Sequence, residues 1–206
     1  MSKPYIITFE GIDGSGKTTH IKKIEKHLAK NKIKYLSFRE PGGTKTSEKI
    51  RKLILNNKNN FSSLTDLLLY MASRNENMKI IQKNKKVKII LIDRFIHSSL
   101  AYQHYGMGIK YHVINFLNKL ILKKIKIDCT FLMIVNKNNL ARRFNERKKL
   151  NRYDKFKFSF YKKVQDGYMK LSKMRNNNFI IINSNENIKI NQQIIIKKIN
   201  SIVNIK

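Results

Sequence analysis

A short glycine-rich segment near the start of the chain limits the possible folds more than any other feature. Gly11 to Thr18 reads G-I-D-G-S-G-K-T and fits the pattern G-x-x-x-x-G-K-[ST] at every fixed position. Glycine lacks a Cβ, so the backbone of such a loop can take positive φ angles and close its N–H groups on an anion. Lys17 adds a cation for the β- and γ-phosphates, and the Thr18 hydroxyl suits a Mg²⁺ ligand. The segment therefore predicts a nucleoside triphosphate site.

The segments on either side of this loop have the expected pattern. Tyr5 to Phe9 is an apolar, β-branched strand candidate, and apolar residues at helical spacing follow from Ile21 to Leu28. Such a helix would aim the positive end of its dipole at the phosphates. Further strands are predicted at 33–38, 88–92, 130–135 and 179–182, with helical patterns between them. This alternation predicts an α/β fold of P-loop NTPase type, a doubly wound parallel sheet of about five strands with helices on both faces.

Length and composition bound the domain count and the compartment. The 206 residues suit one α/β domain, and no linker, repeat or boundary interrupts 1–206. Cys129 is the single cysteine, which argues for a reducing compartment. A strand begins almost at the N-terminus, leaving no room for a signal peptide, and no apolar run approaches the ~18 residues of a membrane span. We therefore expect a cytoplasmic protein with no membrane partner.

The net charge of +31 has two possible sources, a nucleic-acid partner or a general bias toward Lys, Asn and Ile. A nucleic-acid reader usually gathers its charge on one face and interleaves aromatic residues. Here the lysines spread over nearly every segment, which favours the bias and predicts no specific nucleic-acid partner. Because only nine of the 44 basic residues are arginines, each Arg is a candidate for a position that needs a rigid bidentate fork.

Charged residues follow two of the predicted strands. They help to decide which class of protein with a phosphate-binding loop this chain represents. Arg39-Glu40 ends one strand and Asp93-Arg94 ends another. A guanine-specific switch would carry N-K-x-D, whereas Asn136 to Asn139 reads N-K-N-N and lacks the Asp. A DNA-processing ATPase usually ends its strand with an acidic pair. An acid for Mg²⁺ beside a cation for a second phosphate favours a kinase that transfers a phosphoryl group between two bound phosphates.

Several stretches resemble the signatures of the thymidylate kinase family. They are R-E-P-G-G-T from Arg39, D-R at Asp93, S-S-L-A-Y-Q from Ser98, A-S-R ending at Arg74, and G-Y at Gly167. The resemblance runs from Ile6 to about Leu171. It implies a transferase that phosphorylates dTMP to dTDP with ATP and Mg²⁺ for dTTP synthesis, usually as a homodimer.

The resemblance also implies residue roles. It assigns ATP binding to Gly11, Asp13, Gly14, Ser15, Gly16, Lys17, Thr18, Thr19 and Arg143. It assigns dTMP binding to Asp13, Arg39, Pro41, Arg51, Tyr70, Arg74, Arg94, Ser99, Tyr102 and Gln103. Within this second set, Arg39 and Arg94 would hold the acceptor phosphate, with Arg51 close by. Tyr70 would stack on thymine, and Arg74, Ser99 and Gln103 would reach its polar atoms. Pro41 would follow either a cis bond or a trans turn.

The basic segment at about 142–154 resembles the mobile lid of the family. Members without a basic residue after the acid of the loop supply the transition-state cation from the lid, and Asp13-Gly14 fits that arrangement. The expected catalytic residues are Lys17, Asp93, Arg94, Arg147 and Arg152, with Thr18 and Asp93 holding Mg²⁺ partly through water. The chain departs from the family at His104 and Met107, where Gly and Arg are common, which puts the local loop in doubt.

Two other functions stay open at this point. One is a related P-loop kinase that acts on another nucleotide or a deoxynucleoside, and Arg74 with Gln103 should then not select thymine. The other is a non-catalytic relative that uses its charge to bind nucleic acid. Intact Lys17, Thr18, Asp93 and Arg94 argue against the non-catalytic reading.

Overall fold

A computed structural model describes residues 3–84, 86–123, 125–146, 151–174 and 178–204. The strands are β1 (Tyr5–Glu10), β2 (Tyr35–Arg39), β3 (Ile89–Asp93), β4 (Cys129–Ile134) and β5 (Phe179–Asn183). The main helices are α1 (Lys17–Lys30), α2 (Lys45–Leu55), α3 (Ser63–Lys83), α4 (Ile96–Ser99), α5 (Tyr111–Leu122), α6 (Lys137–Asn145), α7 (Phe158–Ser172) and α8 (Ile188–Val203). A π-helical segment, Leu100–Gly106, continues α4, and Arg152–Lys155 forms a 3₁₀ turn.

The five strands form one parallel sheet in the order β2-β3-β1-β4-β5. β1 is central, pairing β3 on one side and β4 on the other, so its side chains are buried from end to end after Tyr5. The register aligns Phe9 with Asp93 and Asp93 with Arg39. The carboxyl ends of the first three strands are therefore level, and the loops that follow them open at one edge.

Alternate residues of the central strands bury their side chains in opposite directions. Ile7 and Phe9 pack with α1 and α8, whereas Ile6 joins a cluster with Met78 of α3 and residues preceding β4. A strand alternates its side chains between two faces, so burial on both requires helices on both faces. The predicted doubly wound α/β sheet of about five strands is confirmed.

Short polar side chains cap the N-termini of several helices. They accept hydrogen bonds from backbone N–H groups that have no carbonyl partner within the helix. The Thr44 hydroxyl accepts from the Ser47 N–H before α2, and the Ser62 hydroxyl accepts from the Thr65 N–H before α3. Asn136 does the same before α6. Among the described residues, no helix is both long and apolar enough to cross a membrane.

Candidate active site

The glycine-rich loop lies between β1 and α1 as predicted. Gly11, Gly14 and Gly16 all take positive φ, at 135°, 77° and 94°. At Gly11 a Cβ would collide with the Met133 carbonyl oxygen, so the loop needs glycine there for close approach to β4 as well as for its dihedral angle. α1 begins at Lys17, and its free N–H groups face the loop. This geometry suits a bound phosphate chain.

The Lys17 ammonium is buried and folded back on the loop. Its Nζ donates to the Gly11 carbonyl at 3.0 Å and to the Ile12 carbonyl at 2.9 Å. Burial, the largest cause, and the neighbouring Arg94 together lower the pKa of Lys17 to about 8, against the opposing effect of Asp93. An anion in the loop would restore the charged form, because an opposite charge favours the protonated lysine.

Thr18 and Asp93 lie together beside the loop. The Thr18 hydroxyl donates to Asp93 Oδ2 at 2.9 Å. The other oxygen, Oδ1, is buried and has no hydrogen-bond partner within the described part of the chain. Hydroxyl and carboxylate oxygens are ligands that Mg²⁺ prefers, and Mg²⁺ keeps most of its other ligands as water and phosphate. The pair fits a magnesium ion. No group of three or more His, Cys, Asp or Glu side chains in the described ranges could hold a metal by itself.

A cleft of about 520 Å³ extends from the loop across the sheet edge. Besides residues of the loop and of the start of α1, it is lined by four arginines, two acids at strand ends and the segment after β5: Arg39, Arg51, Arg94, Arg143, Glu40, Asp93, Ser184, Glu186, Ile188 and Asn191. At one end Arg143 donates to the Gly14 carbonyl at 2.8 Å and to the Ser184 carbonyl at 2.7 Å. Arg143 thereby joins the phosphate loop to the β5–α8 loop, and its contact with a donor nucleotide remains a prediction.

Arg94 lies in the middle of the cleft wall with a left-handed backbone, φ 68°. Its guanidinium donates to Asp13 Oδ1 at 2.9 Å and to the Gly11 carbonyl at 2.8 Å. Burial alone would lower the pKa of Arg94, but Asp13 and Tyr102 raise it well above its usual value. A fixed, fully charged fork in this position can bind a phosphate dianion.

A second, smaller cavity of about 70 Å³ adjoins the cleft. The two share four charged residues: Asp13, Glu40, Arg51 and Arg94. The Glu40–Pro41 peptide is cis, the first of the two forms considered for Pro41. Arg51 donates to the Pro41 carbonyl at 2.7 Å, which brings its guanidinium to the junction of both cavities. The arrangement offers two adjacent anion sites with cations between them.

Aromatic and amide side chains form the far wall of this smaller cavity. Tyr70, Tyr102, Gln103 and Tyr153 line it. The Tyr153 ring lies edge-on to Tyr70, with centroids 6.3 Å apart, and the Tyr102 hydroxyl donates to Asp13 Oδ2 at 2.9 Å. Burial raises the pKa of Tyr70 and Tyr102, so both hydroxyls stay protonated. A flat aromatic group with polar edges would suit this wall.

Arg74 and Ser99, predicted to touch the base, lie behind the wall instead of in it. Arg74 is 1% exposed and donates to Glu40 at 2.7 Å, to Ser99 Oγ at 3.0 Å and to Asn118 at 2.9 Å. A further bond runs from Nη2 to the Phe95 carbonyl at 2.9 Å. Neither side chain lines either cavity, and their contact with a base remains a prediction. The sequence reasoning missed Ser98, which does line the smaller cavity.

Of the two candidate lid arginines that the structure describes, Arg143 lies at the phosphate loop and Arg152 does not. Arg152 forms an ion pair with Asp66 and packs over the Phe61 ring at 5.1 Å, lining a separate cavity. Arg147 lies outside the described residues. Arg143 lines the cleft. The catalytic roles of Arg147 and Arg152 therefore stay predictions.

The two departures from the family pattern lie away from both cavities. His104 Nδ1 pairs with the Ile109 carbonyl at 2.7 Å. Met107 lines the separate cavity beside Phe61 and Phe156. Neither side chain appears in the wall of the cleft or of the smaller cavity, so the doubt that they raised over the acceptor pocket does not extend to its lining.

Two buried acids contribute more to this site than the sequence reasoning allowed. Glu10 accepts from the Phe95 N–H at 2.8 Å, from the Ser98 hydroxyl at 2.5 Å and from the Tyr168 hydroxyl at 3.0 Å. Asp66 is 1% exposed and accepts from Gln103. Because the chain has only 13 acidic residues, an acid inside an apolar helical run, such as Asp66, could have been recognised from the sequence as a candidate site residue.

A phosphate-binding loop beside a second anion site on a doubly wound sheet defines a P-loop kinase with a small phosphorylated acceptor. Comparison with known proteins narrows this class. The thymidylate kinase family model matches residues 9–195, and the chain belongs to that family.

Individual relatives agree with the family assignment. Thymidylate kinase from Clostridium novyi (strain NT) is 40% identical over 191 residues, which cover 90% of this chain and 93% of that protein. The Acholeplasma laidlawii (strain PG-8A) thymidylate kinase is 38% identical over 196 residues, covering 94% and 97% of the two chains. The crystal structure of thymidylate kinase from Ehrlichia chaffeensis superposes with a TM-score of 0.77 at 31% identity, covering 96% of this chain and all of that one.

Proposed function

We propose that this protein transfers the γ-phosphoryl group of ATP to dTMP, giving dTDP and ADP. The observation that carries the proposal is the meeting of the two cavities, both of which are lined by Asp13, Arg51 and Arg94. A donor triphosphate in the loop and an acceptor phosphate at these arginines would face each other across the junction. Family membership names thymidylate as the acceptor.

The chemistry requires positioning more than proton transfer. An acceptor phosphate oxygen forms the new O–P bond as the bond to the β,γ-bridging oxygen breaks, and ADP leaves with that electron pair. Because the acceptor oxygen is already anionic, no general base is needed. Lys17 and Arg94 would neutralise charge on the moving group, since both cations lie at the loop. Mg²⁺, when held through Thr18 and Asp93, would supply further charge neutralisation on the triphosphate.

The acceptor nucleoside would occupy the smaller cavity. Tyr70 provides a flat surface for the base, and the Gln103 amide a hydrogen-bonding edge. Tyr102, 5% exposed, would crowd the sugar and favour deoxyribose. In this proposal 1–206 is one domain, and the lid at about 142–154 covers the donor phosphates, with Arg147 or Arg152 reaching them after movement.

A coupled assay of ADP release tests this proposal. ATP-Mg²⁺ is supplied with dTMP, dUMP, dCMP, dGMP or the ribose analogue of dTMP, and Lys17→Ala is run beside the wild type. We expect turnover with dTMP well above the others and a loss of about 10²- to 10³-fold or more in Lys17→Ala. Preference for another acceptor would make the protein a sister kinase. No turnover with any acceptor, together with salt-sensitive DNA binding, would favour the non-catalytic alternative.

We also propose that the protein works in the cytoplasm and as a homodimer. Leu64 and Leu68 of α3 are 53% and 49% exposed, and Phe116 and Leu120 of α5 are 65% and 62% exposed. Each pair is four residues apart, so each forms a stripe along one helical face, and the two helices pack side by side. Two neighbouring apolar stripes on a surface are suited to a self-complementary contact between copies.

Sedimentation of Phe116→Lys tests the homodimer, with Ile190→Lys as the matched control. Ile190 is a comparably exposed apolar residue on α8, at 50%, but belongs to neither stripe. We expect a dimer for the wild type and for Ile190→Lys, and a monomer for Phe116→Lys. A wild-type monomer, or a Phe116→Lys dimer of unchanged affinity, would contradict the proposed interface.

A further inference from the structure

Asp66 is a buried acid that no part of the proposed reaction uses. It lies in the first turn of α3 and is 1% exposed. Three side-chain donors converge on its carboxylate. Gln103 Nε2 donates to Oδ2 at 3.0 Å, the Tyr153 hydroxyl donates to the same oxygen at 2.7 Å, and Arg152 pairs with Oδ1. A buried acid with this many fixed partners holds each of them in one orientation.

Gln103 is the partner that brings an amide to the proposed acceptor site, whose wall also includes Tyr153. It is 1% exposed, lies in the π-helical segment and lines the smaller cavity. A primary amide has an NH₂ end that donates and an oxygen end that accepts, whereas a carboxylate paired with an arginine only accepts. The NH₂ end must therefore face Asp66. The oxygen end, Oε1, is buried and has no hydrogen-bond partner in the described part of the chain.

An unpartnered acceptor in a cavity wall selects for a ligand that donates. Thymine and uracil carry an N–H at ring position 3, whereas cytosine has a bare acceptor nitrogen there. Cytosine at this position would set two acceptors against each other and leave Gln103 Oε1 unsatisfied. Buried polar groups left without partners weaken binding strongly, and such mismatches give the largest discrimination between similar substrates.

We propose that Asp66 is a positioning residue that fixes the Gln103 amide with its oxygen toward the acceptor cavity, and so selects a pyrimidine with N–H at position 3. The inference rests on the proposed function, since it takes the smaller cavity as the site of the acceptor base. Asp66 itself does not touch the nucleotide in this proposal. It acts through the Gln103 side chain, which does.

Asp66→Asn separates this role from simple support of the fold. The asparagine keeps the shape of the side chain but can donate from its NH₂ group, which allows the Gln103 amide to turn over and present NH₂ to the cavity. We expect kcat/KM for dTMP to fall about 10- to 100-fold, mainly through KM, and kcat/KM for dCMP to rise. Equal losses with dTMP and dCMP would overturn the proposal.

One matched control accompanies this variant. Glu76→Gln makes the same carboxylate-to-amide change on α3 but in an exposed pair with Lys79, and should leave kcat/KM for both substrates unchanged. If the wild type itself fails to phosphorylate dTMP, the proposed function is wrong, which is a different outcome from unchanged selectivity in Asp66→Asn.

Gln103→Glu tests the same orientation if Asp66→Asn does not fold. A glutamic acid at 103 must keep a proton to donate to Asp66, because two charged carboxylates in contact repel each other. Its carbonyl oxygen then faces the cavity as before. We expect the ratio of KM for dTMP in this variant to the wild-type KM at the same pH to fall as pH is lowered from 8 to 6, because this ratio cancels the protonation of the dTMP phosphate itself, whose second pKa is about 6. A pH-independent ratio would overturn the assignment of Asp66.

Discussion

The acceptor cavity and the phosphate cleft hold their polar side chains in different ways. Around the acceptor cavity, side chains are bonded mainly to other side chains, as in Arg74–Glu40 and Gln103–Asp66. In the cleft, Lys17 and Arg143 are bonded mainly to backbone carbonyls, such as those of Gly11 and Gly14. Side-chain networks fix a shape for one ligand. Backbone carbonyls hold a cation in place without pairing it with a full negative charge. The charge of the cation therefore remains available to a bound phosphate.

The largest loss in the free energy of unfolding is expected when Arg74, beside the acceptor cavity, is replaced. Arg74→Met leaves the Glu40 carboxylate buried without its cation, and removing one partner of a buried pair is destabilising by about 3–5 kcal/mol. Urea unfolding measures this loss. The double variant Arg74→Met, Glu40→Gln should recover a large part of it, because no unpaired charge remains. A single-variant loss below about 1 kcal/mol would mean that the network does not act as a unit.

On the cleft side, we expect the buried Lys17 to make the free energy of unfolding depend on pH. Since burial lowers the pKa of Lys17 to about 8, the unfolded chain binds more protons than the folded one above that pH. The free energy of unfolding should therefore rise by about 2 kcal/mol from pH 8 to pH 10 because of Lys17 alone. Lys17→Met should lack this rise. An identical pH profile for both proteins would contradict the buried lysine, and saturating ATP should weaken the rise by favouring the charged form.

Arg143→Ala should affect the donor side alone. Loss of its bonds to Gly14 and Ser184 should raise KM for ATP about 10-fold, in line with hydrogen bonds from a charged donor. KM for dTMP should not change, since Arg143 does not line the smaller cavity. Arg142→Ala is the control, because this neighbour is exposed on α6. Equal rises in both KM values would show that the two cavities are not independent.

The smallest effect on stability is expected at Arg39. Its side chain is 54% exposed and its partner Glu48 is 39% exposed, so Arg39→Ala should change the free energy of unfolding by less than about 0.5 kcal/mol. KM for dTMP should nevertheless rise if Arg39 holds the acceptor phosphate. Glu48→Ala, which removes the competing carboxylate, provides the control and should not raise it. Comparing Arg39 with Arg74 separates an arginine kept for a ligand from one kept for the fold.

The sequence predicted the parts of this molecule that depend on neighbouring residues. The β1–loop–α1 unit, the five strands and the charged strand ends follow from periodicity and from fixed glycine spacing. The partners of Arg74 and Arg152 could not be predicted, because Glu40 and Asp66 lie 34 and 86 residues away in the chain. The same holds for the π-helical turn that brings Gln103 to the cavity. Pattern reading identifies which residues are charged and where they emerge, but not which of them pair.

The pairing of Arg94 with Asp13 has a consequence for how tightly the acceptor can be held. Asp13 serves as a resident counter-ion, at 2.9 Å from the guanidinium that a phosphate would need. Acceptor binding is then an exchange of one anion for another, and only the difference between the two appears as affinity. Such an exchange runs equally well in reverse. When dTDP leaves, the carboxylate can reclaim the arginine, so the site need not expose an unpaired cation between turnovers.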